Sequence, residues 1–187
     1  MKDFVRKDLS FSLCGLNCAL CVMKLDGYCP GCGGGTGNQS CSLARCSLEH
    51  GGYEYCFECG EYPCKKYDGA TESDSFITHL HQLKDAETAR DAGLPAYRAQ
   101  LEEKAKILEY LLANFNDGRR KTFFCLAVNL LELPDLKAAL ERAEEETSPE
   151  APLKERALTA VKYFEAAAEQ NGVVLKLRKK GGPGRAK

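Results

Sequence analysis

Cys14-Gly15-Leu16-Asn17-Cys18-Ala19-Leu20-Cys21, then Cys29-Pro30-Gly31-Cys32-Gly33 and Cys56-Phe57-Glu58-Cys59-Gly60, are the stretches that decide the fold of this chain. With Cys41, Cys46 and Cys64 they hold ten of the eleven cysteines, all between residues 14 and 64. A C-x-x-C pair on a tight turn lets two thiolates converge on one ion while backbone amides face the sulfurs. Glycine after the second cysteine takes a positive φ without a Cβ clash. Two such knuckles supply the four sulfurs of a tetrahedral site, so the first third of the chain is expected to be built around metal.

Disulfides are the competing use of so many cysteines. The charged start, Met1-Lys2-Asp3-Phe4-Val5-Arg6-Lys7-Asp8, lacks the apolar run of a signal peptide, and the expected location is a reducing cytoplasm where bridges do not persist. The odd cysteine count and the short C-x-x-C spacings point the same way. Lys and Arg number 26 against 27 Asp and Glu, a net charge of −1, so no bulk charge advertises nucleic acid or a membrane surface. No apolar run approaches the roughly 20 residues of a membrane span.

A length of 187 residues accommodates one or two domains, and the change in composition favours two. The expected fold is small and α+β. Residues 1–72 form a cysteine-rich, metal-stabilised module with little regular structure, and 73–180 a helical bundle ending in one C-terminal strand. Residues 181–187 form a disordered basic tail. The module is too small to bury an adequate core alone, so metal is expected to hold it. The Gly33-Gly34-Gly35-Thr36-Gly37-Asn38 run lacks the G-K-[ST] ending of a phosphate loop and reads as a connector.

Helical spacing begins with Phe76, Leu80 and Leu83 after Ser73 and Ser75. It resumes from Pro95 through Tyr97, Leu101, Leu108, Leu111, Leu112 and Phe115, and Asn116-Asp117-Gly118 ends that helix. A third helix, Lys121 to about Leu133, is apolar over much of its surface and is expected to be central. A fourth runs from Pro134 to about Glu146, and a fifth follows Ser148 and Pro149 and ends at Gly172. Val173, Leu175 and Leu177 then alternate with Val174, Lys176 and Arg178, the period of a strand, for which Phe11-Ser12-Leu13 is a candidate partner.

The C-G-L-x-C-x-x-C run, the Cys29/Cys32 knuckle, the Cys41 and Cys46 pair, the Cys56/Cys59 knuckle and Tyr62-Pro63-Cys64 together resemble a prokaryotic family catalogued as domain of unknown function 3795. The resemblance spans about residues 11–68. Asp117-Gly118-Arg119-Arg120-Lys121-Thr122-Phe123-Phe124-Cys125-Leu126-Ala127 is similar to the longer members. It implies a small cysteine-rich metal module with a helical extension and brings no established activity.

The candidate metal ligands are Cys14, Cys18, Cys21, Cys29, Cys32, Cys41, Cys46, Cys56, Cys59 and Cys64. Cys29, Cys32, Cys56 and Cys59 are the best single set, and zinc is the expected occupant of a closed four-sulfur site. How the other six divide cannot be read from spacing. The alternative is a [4Fe-4S] cluster, because Cys14-x3-Cys18-x2-Cys21 offers three thiolates and Pro63-Cys64 resembles a ferredoxin ligand next to proline. The radical S-adenosylmethionine reading of that triplet fails, since a chain this short with a helical second half has no barrel to surround the cluster.

His50 lies between Cys46 and Cys56, where it is a substitute for a thiolate by chemistry, and reads as an exposed loop residue next to Gly51-Gly52. His79 and His81, two apart on an expected helix, make no metal clip. Cys125 is expected to be a small buried hydrophobe. The expected role is a binding or interaction protein, leaning away from an enzyme, with a protein partner; the alternative is an iron–sulfur protein with a redox role. Nucleic acid is the weakest partner, resting on Arg119-Arg120-Lys121 and Lys176-x-Arg178-Lys179-Lys180. Cations at a helix N-terminus oppose the macrodipole; a ligand phosphate, a nucleic-acid backbone or a carboxylate such as those of Glu144 to Glu146 would explain the first group, and a solvated turn is the expected reading.

Overall fold

The computed structural model describes residues 3–35 and 41–179, so the expectations for Thr36, Gly37 and Asn38 and for the tail at 181–187 lie outside the described residues. Seven helices run through them: α1 (Val22–Leu25), α2 (Ser42–Glu49), α3 (Gln82–Asp91), α4 (Leu94–Asn114), α5 (Lys121–Leu130), α6 (Leu133–Glu146) and α7 (Leu153–Gln170). Short 3-10 turns at Cys18–Leu20, Cys56–Glu58 and Lys65–Tyr67 carry the cysteine segments.

Gly93, with φ of 86°, and Pro95 open α4, because Pro fits the first turn where amide hydrogens have no helical partner. Its Tyr97, Leu101, Leu108 and Leu111 form the buried stripe. Every residue of α5 from Phe124 to Leu130 is buried, which confirms it as the central helix. Helices α6 and α7 pack through Ala139, Ala143, Ala157 and Ala160, small side chains that let their backbones approach. Asn171 Nδ2, after α7, donates to Asp135 at the start of α6 over 3.1 Å, so the pair is antiparallel.

The expected α+β class is incorrect: among the described residues there is no strand, and the fold is all-helical. The alternation after Gly172 arises because Val173 and Leu175 pack on the core while Val174 is 74% exposed. A strand needs a neighbouring backbone to make a ladder. This segment is instead pinned by one residue, whose amide donates to Asp74 Oδ2 over 2.7 Å: Arg178, with further bonds from its guanidinium to Asp74 and to the Thr71 carbonyl. Phe11, Ser12 and Leu13, the candidate partner, are buried elsewhere.

The first expected helix also starts later than its spacing indicates. Asp74 accepts from the His79 amide as well as from Arg178, which holds the chain in turns until Gln82 and leaves Phe76 60% exposed. At the start of α5, Lys121 pairs with Asp26 and Arg120 Nε lies 3.9 Å from Asp117. Carboxylates thus answer two of the basic charges there, and one of them comes from the cysteine-rich segment.

That segment shares its core with the helices. Phe11, Leu20 and Tyr55 join Tyr97, Leu101, Leu108 and Phe124 in one buried cluster, and the Phe11 ring lies 4.7 Å from Tyr97 and 5.8 Å from Tyr55. Asp8 locks the arrangement by accepting from the Ser10 and Phe11 amides, the Ser10 and Tyr55 hydroxyls and Arg98 Nε of α4. Burial alone would raise its pKa, but these donors outweigh it and hold the carboxyl well below the usual range.

Gly15, with φ of +94°, presses on α3, where an added Cβ would lie 2.4 Å from the Gln82 carbonyl oxygen. Gly15→Ala combines a strained φ with a backbone clash and is expected to cost about 2–4 kcal/mol, read by denaturant unfolding. Asp85 of α3 accepts from Asn17 Nδ2 over 2.9 Å among His81, Lys84, Tyr97, Lys104 and Glu132. Burial pushes its carboxyl up to about 7, against the pull of Lys104. The native state therefore holds a proton that the unfolded chain releases, and this contribution, complete at pH 3.8 and below, is lost as pH rises to about 7. Unfolding at pH 4 and pH 7 should show wild type losing on the order of 2–4 kcal/mol more than Asp85→Asn across that window.

Candidate metal centre

The cysteine segments gather around a small apolar patch of Phe4, Leu13 and Ala44, on which Cys32 and Cys56 pack. Each is delivered by a turn that the local sequence encodes. The Cys21 amide bonds the Cys18 carbonyl, and the Cys59 amide bonds the Cys56 carbonyl over 3.1 Å. In the Cys29/Cys32 knuckle, Gly31 and Gly33 adopt φ of 99° and 85°. Gly33 thus takes the expected positive φ after the second cysteine, whereas Gly60, in the matching place, does not.

Of the expected set Cys29, Cys32, Cys56 and Cys59, Cys32 and Cys56 pack on one apolar patch, and Cys56 and Cys59 border one cavity. Cys14, Cys32, Cys41 and Cys56 are electrostatic neighbours, and Cys18 neighbours Cys14, Cys21 and Cys32. Cys59 lines a cavity with Cys46, Cys56, Cys64 and His50, so Cys56 touches both groups. Cys29 is anchored by its amide, which donates to the Met23 carbonyl over 3.0 Å. Cys125 is buried on α5, as expected, and has Cys21 as its neighbour.

None of these cysteines forms a disulfide in this structure. Burial pushes the Cys14 thiol up to about 11 and those of Cys18 and Cys56 up to about 12, with neighbouring sulfurs adding to the shift. Opposing it, the amides of Leu16, Cys32 and Leu13 favour the thiolates of Cys14, Cys18 and Cys32, and the Tyr67 hydroxyl favours that of Cys56. Ser12 Oγ lies 3.3 Å from Cys14 Sγ. Donors aimed at sulfur are what a metal–thiolate centre uses to orient its ligands.

Arg6 is a candidate residue of the site that sequence reasoning missed. Only 5% exposed, it donates to the carbonyls of Glu54, Phe11 and Cys32, and its charge favours the Cys32 thiolate. Its Nη2 has no hydrogen-bond partner and lies 3.7 Å from Glu54 Oε1. A buried guanidinium with an unused donor beside sulfur suits an anionic centre, and four thiolates on a divalent ion carry net negative charge. Nothing in the charged run from Met1 to Asp8 marked Arg6, because its role depends on Gly33, whose carbonyl accepts the Arg6 amide and whose missing Cβ admits the side chain.

Among the described residues, no three His, Cys, Asp or Glu side chains close into one coordination sphere. The metal reading rests on sulfur clustering, free thiols, amide donors and Arg6, a set that suits zinc or an iron–sulfur cluster. Comparison with known proteins finds no matching family model, curated protein or solved structure.

Arg6→Met strips the carbonyls of Phe11, Cys32 and Glu54 of their donor and is expected to cost about 3 kcal/mol or more, measured by thermal or denaturant unfolding.

Proposed function

We propose that this chain is a thiolate-ligated metal-binding protein in which zinc secures the segment from Cys14 to Cys64 onto the helices, and that it works as a binding or interaction protein. One observation carries the reading: Cys32, whose carbonyl accepts from the buried Arg6 guanidinium, shares its apolar patch with Cys56 and has Cys14, Cys18 and Cys41 as electrostatic neighbours. Zinc replaces the protons of buried thiols with a divalent charge, which offsets the penalty that burial imposes on the thiolates. The apolar patch of Phe4, Leu13 and Ala44 is small, so metal contributes much of the local stability. The resemblance of the spacings to domain of unknown function 3795 supports the same assignment.

An iron–sulfur cluster with a redox role is the second reading. It is favoured by Cys18, which has Cys14 and Cys21 of the triplet and Cys32 as neighbours, a three-plus-one arrangement that a [4Fe-4S] cluster uses. Nucleic-acid binding draws little support, since Lys121 and Arg120 are engaged by Asp26 and Asp117. Among the described residues no helix is long and apolar enough to cross a membrane. Free thiols suit a reducing compartment, and we place the protein in the cytoplasm.

Anaerobic purification followed by elemental analysis and a visible spectrum separates the readings. Zinc in colourless protein supports the first; iron with sulfide and a brown colour supports the second; protein free of all three elements sinks both. Cys32→Ser should lower bound zinc by about one ion per chain, while Cys125→Ala leaves it unchanged.

A further inference from the structure

We propose that His50, together with Cys46, Cys59 and Cys64, forms a second zinc site, distinct from the sulfur group beside Arg6. The inference rests on the metal-binding reading above and assigns ligands that the cysteine spacing left undivided.

Helix α2 makes the first half of the site. His50 caps it four residues after Cys46, so one helical turn sets the two on the same face, with Cys46 Sγ 3.6 Å from His50 Nδ1. The same Nδ1 lies 2.9 Å from the Cys46 carbonyl oxygen. A proton on Nδ1 is donated to that carbonyl, which leaves the lone pair on Nε2. Metal-binding histidines are oriented and given their tautomer by such a bond on the other ring nitrogen.

The second half comes from the turns around the Cys56/Cys59 knuckle. Cys59 and Cys64 border the same cavity as Cys46 and His50, and its volume is about 30 Å³, room for an ion rather than an organic molecule. Tyr62 also lines it, and its hydroxyl is enclosed without a hydrogen-bond partner. Cys56 borders the cavity too; its thiol has Cys14 and Cys41 of the first group and Cys64 of the second as electrostatic neighbours, and it is assigned to the first group by the patch of Phe4, Leu13 and Ala44 that it shares with Cys32. Three thiols and one imidazole then remain, a Cys3His set of the kind structural zinc adopts. The ligands stand around the cavity without closing into one sphere, so the assignment rests on their shared lining and on the His50 geometry.

Binding balances simply. Cys46, Cys59 and Cys64 each release a proton to solvent as a sulfur–zinc bond forms, and His50 binds as the neutral imidazole through Nε2. Three thiolates on the divalent ion leave a smaller negative charge than four. That suits the exposed end of α2, where His50 is at the surface, while the cation Arg6 is buried with Cys32.

The test compares zinc content and zinc release to a chelator in the purified full chain for wild type, His50→Ala, His50→Cys, Cys64→Ser and Cys32→Ser. His50→Ala and Cys64→Ser are expected to weaken one zinc by about 100-fold or more while a Cys32-dependent zinc stays. His50→Cys should retain both, since a thiolate replaces the lost ligand, an outcome that a merely structural role for His50 would not produce. Zinc release from His50→Ala at the wild-type rate would overturn the proposal, and so would loss of the same zinc in His50→Ala and Cys32→Ser. Wild type that holds Cys32-dependent zinc and is indifferent to His50 defeats this inference alone. Wild type that takes up no zinc defeats the metal reading with it.

Discussion

The carboxylate of Asp8 is the joint on which the rest of the structure depends. Its donors come from the N-terminal loop through Ser10 and Phe11, from the central turn through Tyr55, and from α4 through Arg98. Three chain segments far apart in sequence thus meet at one acceptor. Charge-assisted bonds of this kind are about twice as strong as neutral ones, and they hold Asp8 ionised despite its burial. Phe11 and Tyr55 are thereby aligned with Tyr97, and the residues that follow them, Cys14 and Cys56, are delivered to the same place.

This anchoring shapes how metal and folding relate. The cysteine-rich segment draws apolar stability from two sources, its own patch of Phe4, Leu13 and Ala44 and the helical core that receives Phe11, Leu20 and Tyr55. The second ties the segment to α4 independently of any ion. What the apolar contacts leave unresolved is the sulfur itself, because buried sulfurs whose thiolate forms repel one another are held protonated, and a buried guanidinium with a spare donor is costly. A metal–thiolate centre would relieve both costs together, which is the physical basis of the functional proposal.

Much of the helical half was legible in the sequence. The apolar stripe from Tyr97 to Leu111, the all-round apolar α5 and the Pro and Gly signals at helix ends depend on local periodicity and capping, and these appear where expected. The strand expected after Gly172 failed because alternation reports only which side chains face a core. It says nothing about whether a backbone neighbour exists to pair with, and here Asp74 supplies a carboxylate instead. The helix expected from Phe76 begins only at Gln82, since the turn held by Asp74 depends on Arg178, 104 residues away.

The candidate site divides along similar lines. Sequence alone determined that the cysteines form tight turns within one segment, because C-x-x-C spacing and glycine are local chemistry, as the positive φ of Gly31 and Gly33 shows. The Cys46-x3-His50 spacing was visible too, though without α2 it carried no orientation. Only the tertiary structure decided which cysteines meet, bringing Cys32 and Cys56 onto one apolar patch, Cys59 to the cavity that His50 lines, and Arg6 against Cys32. Neighbourhood among distant residues is set by packing onto a shared core, and that core is completed by helices whose sequence holds no record of the cysteines.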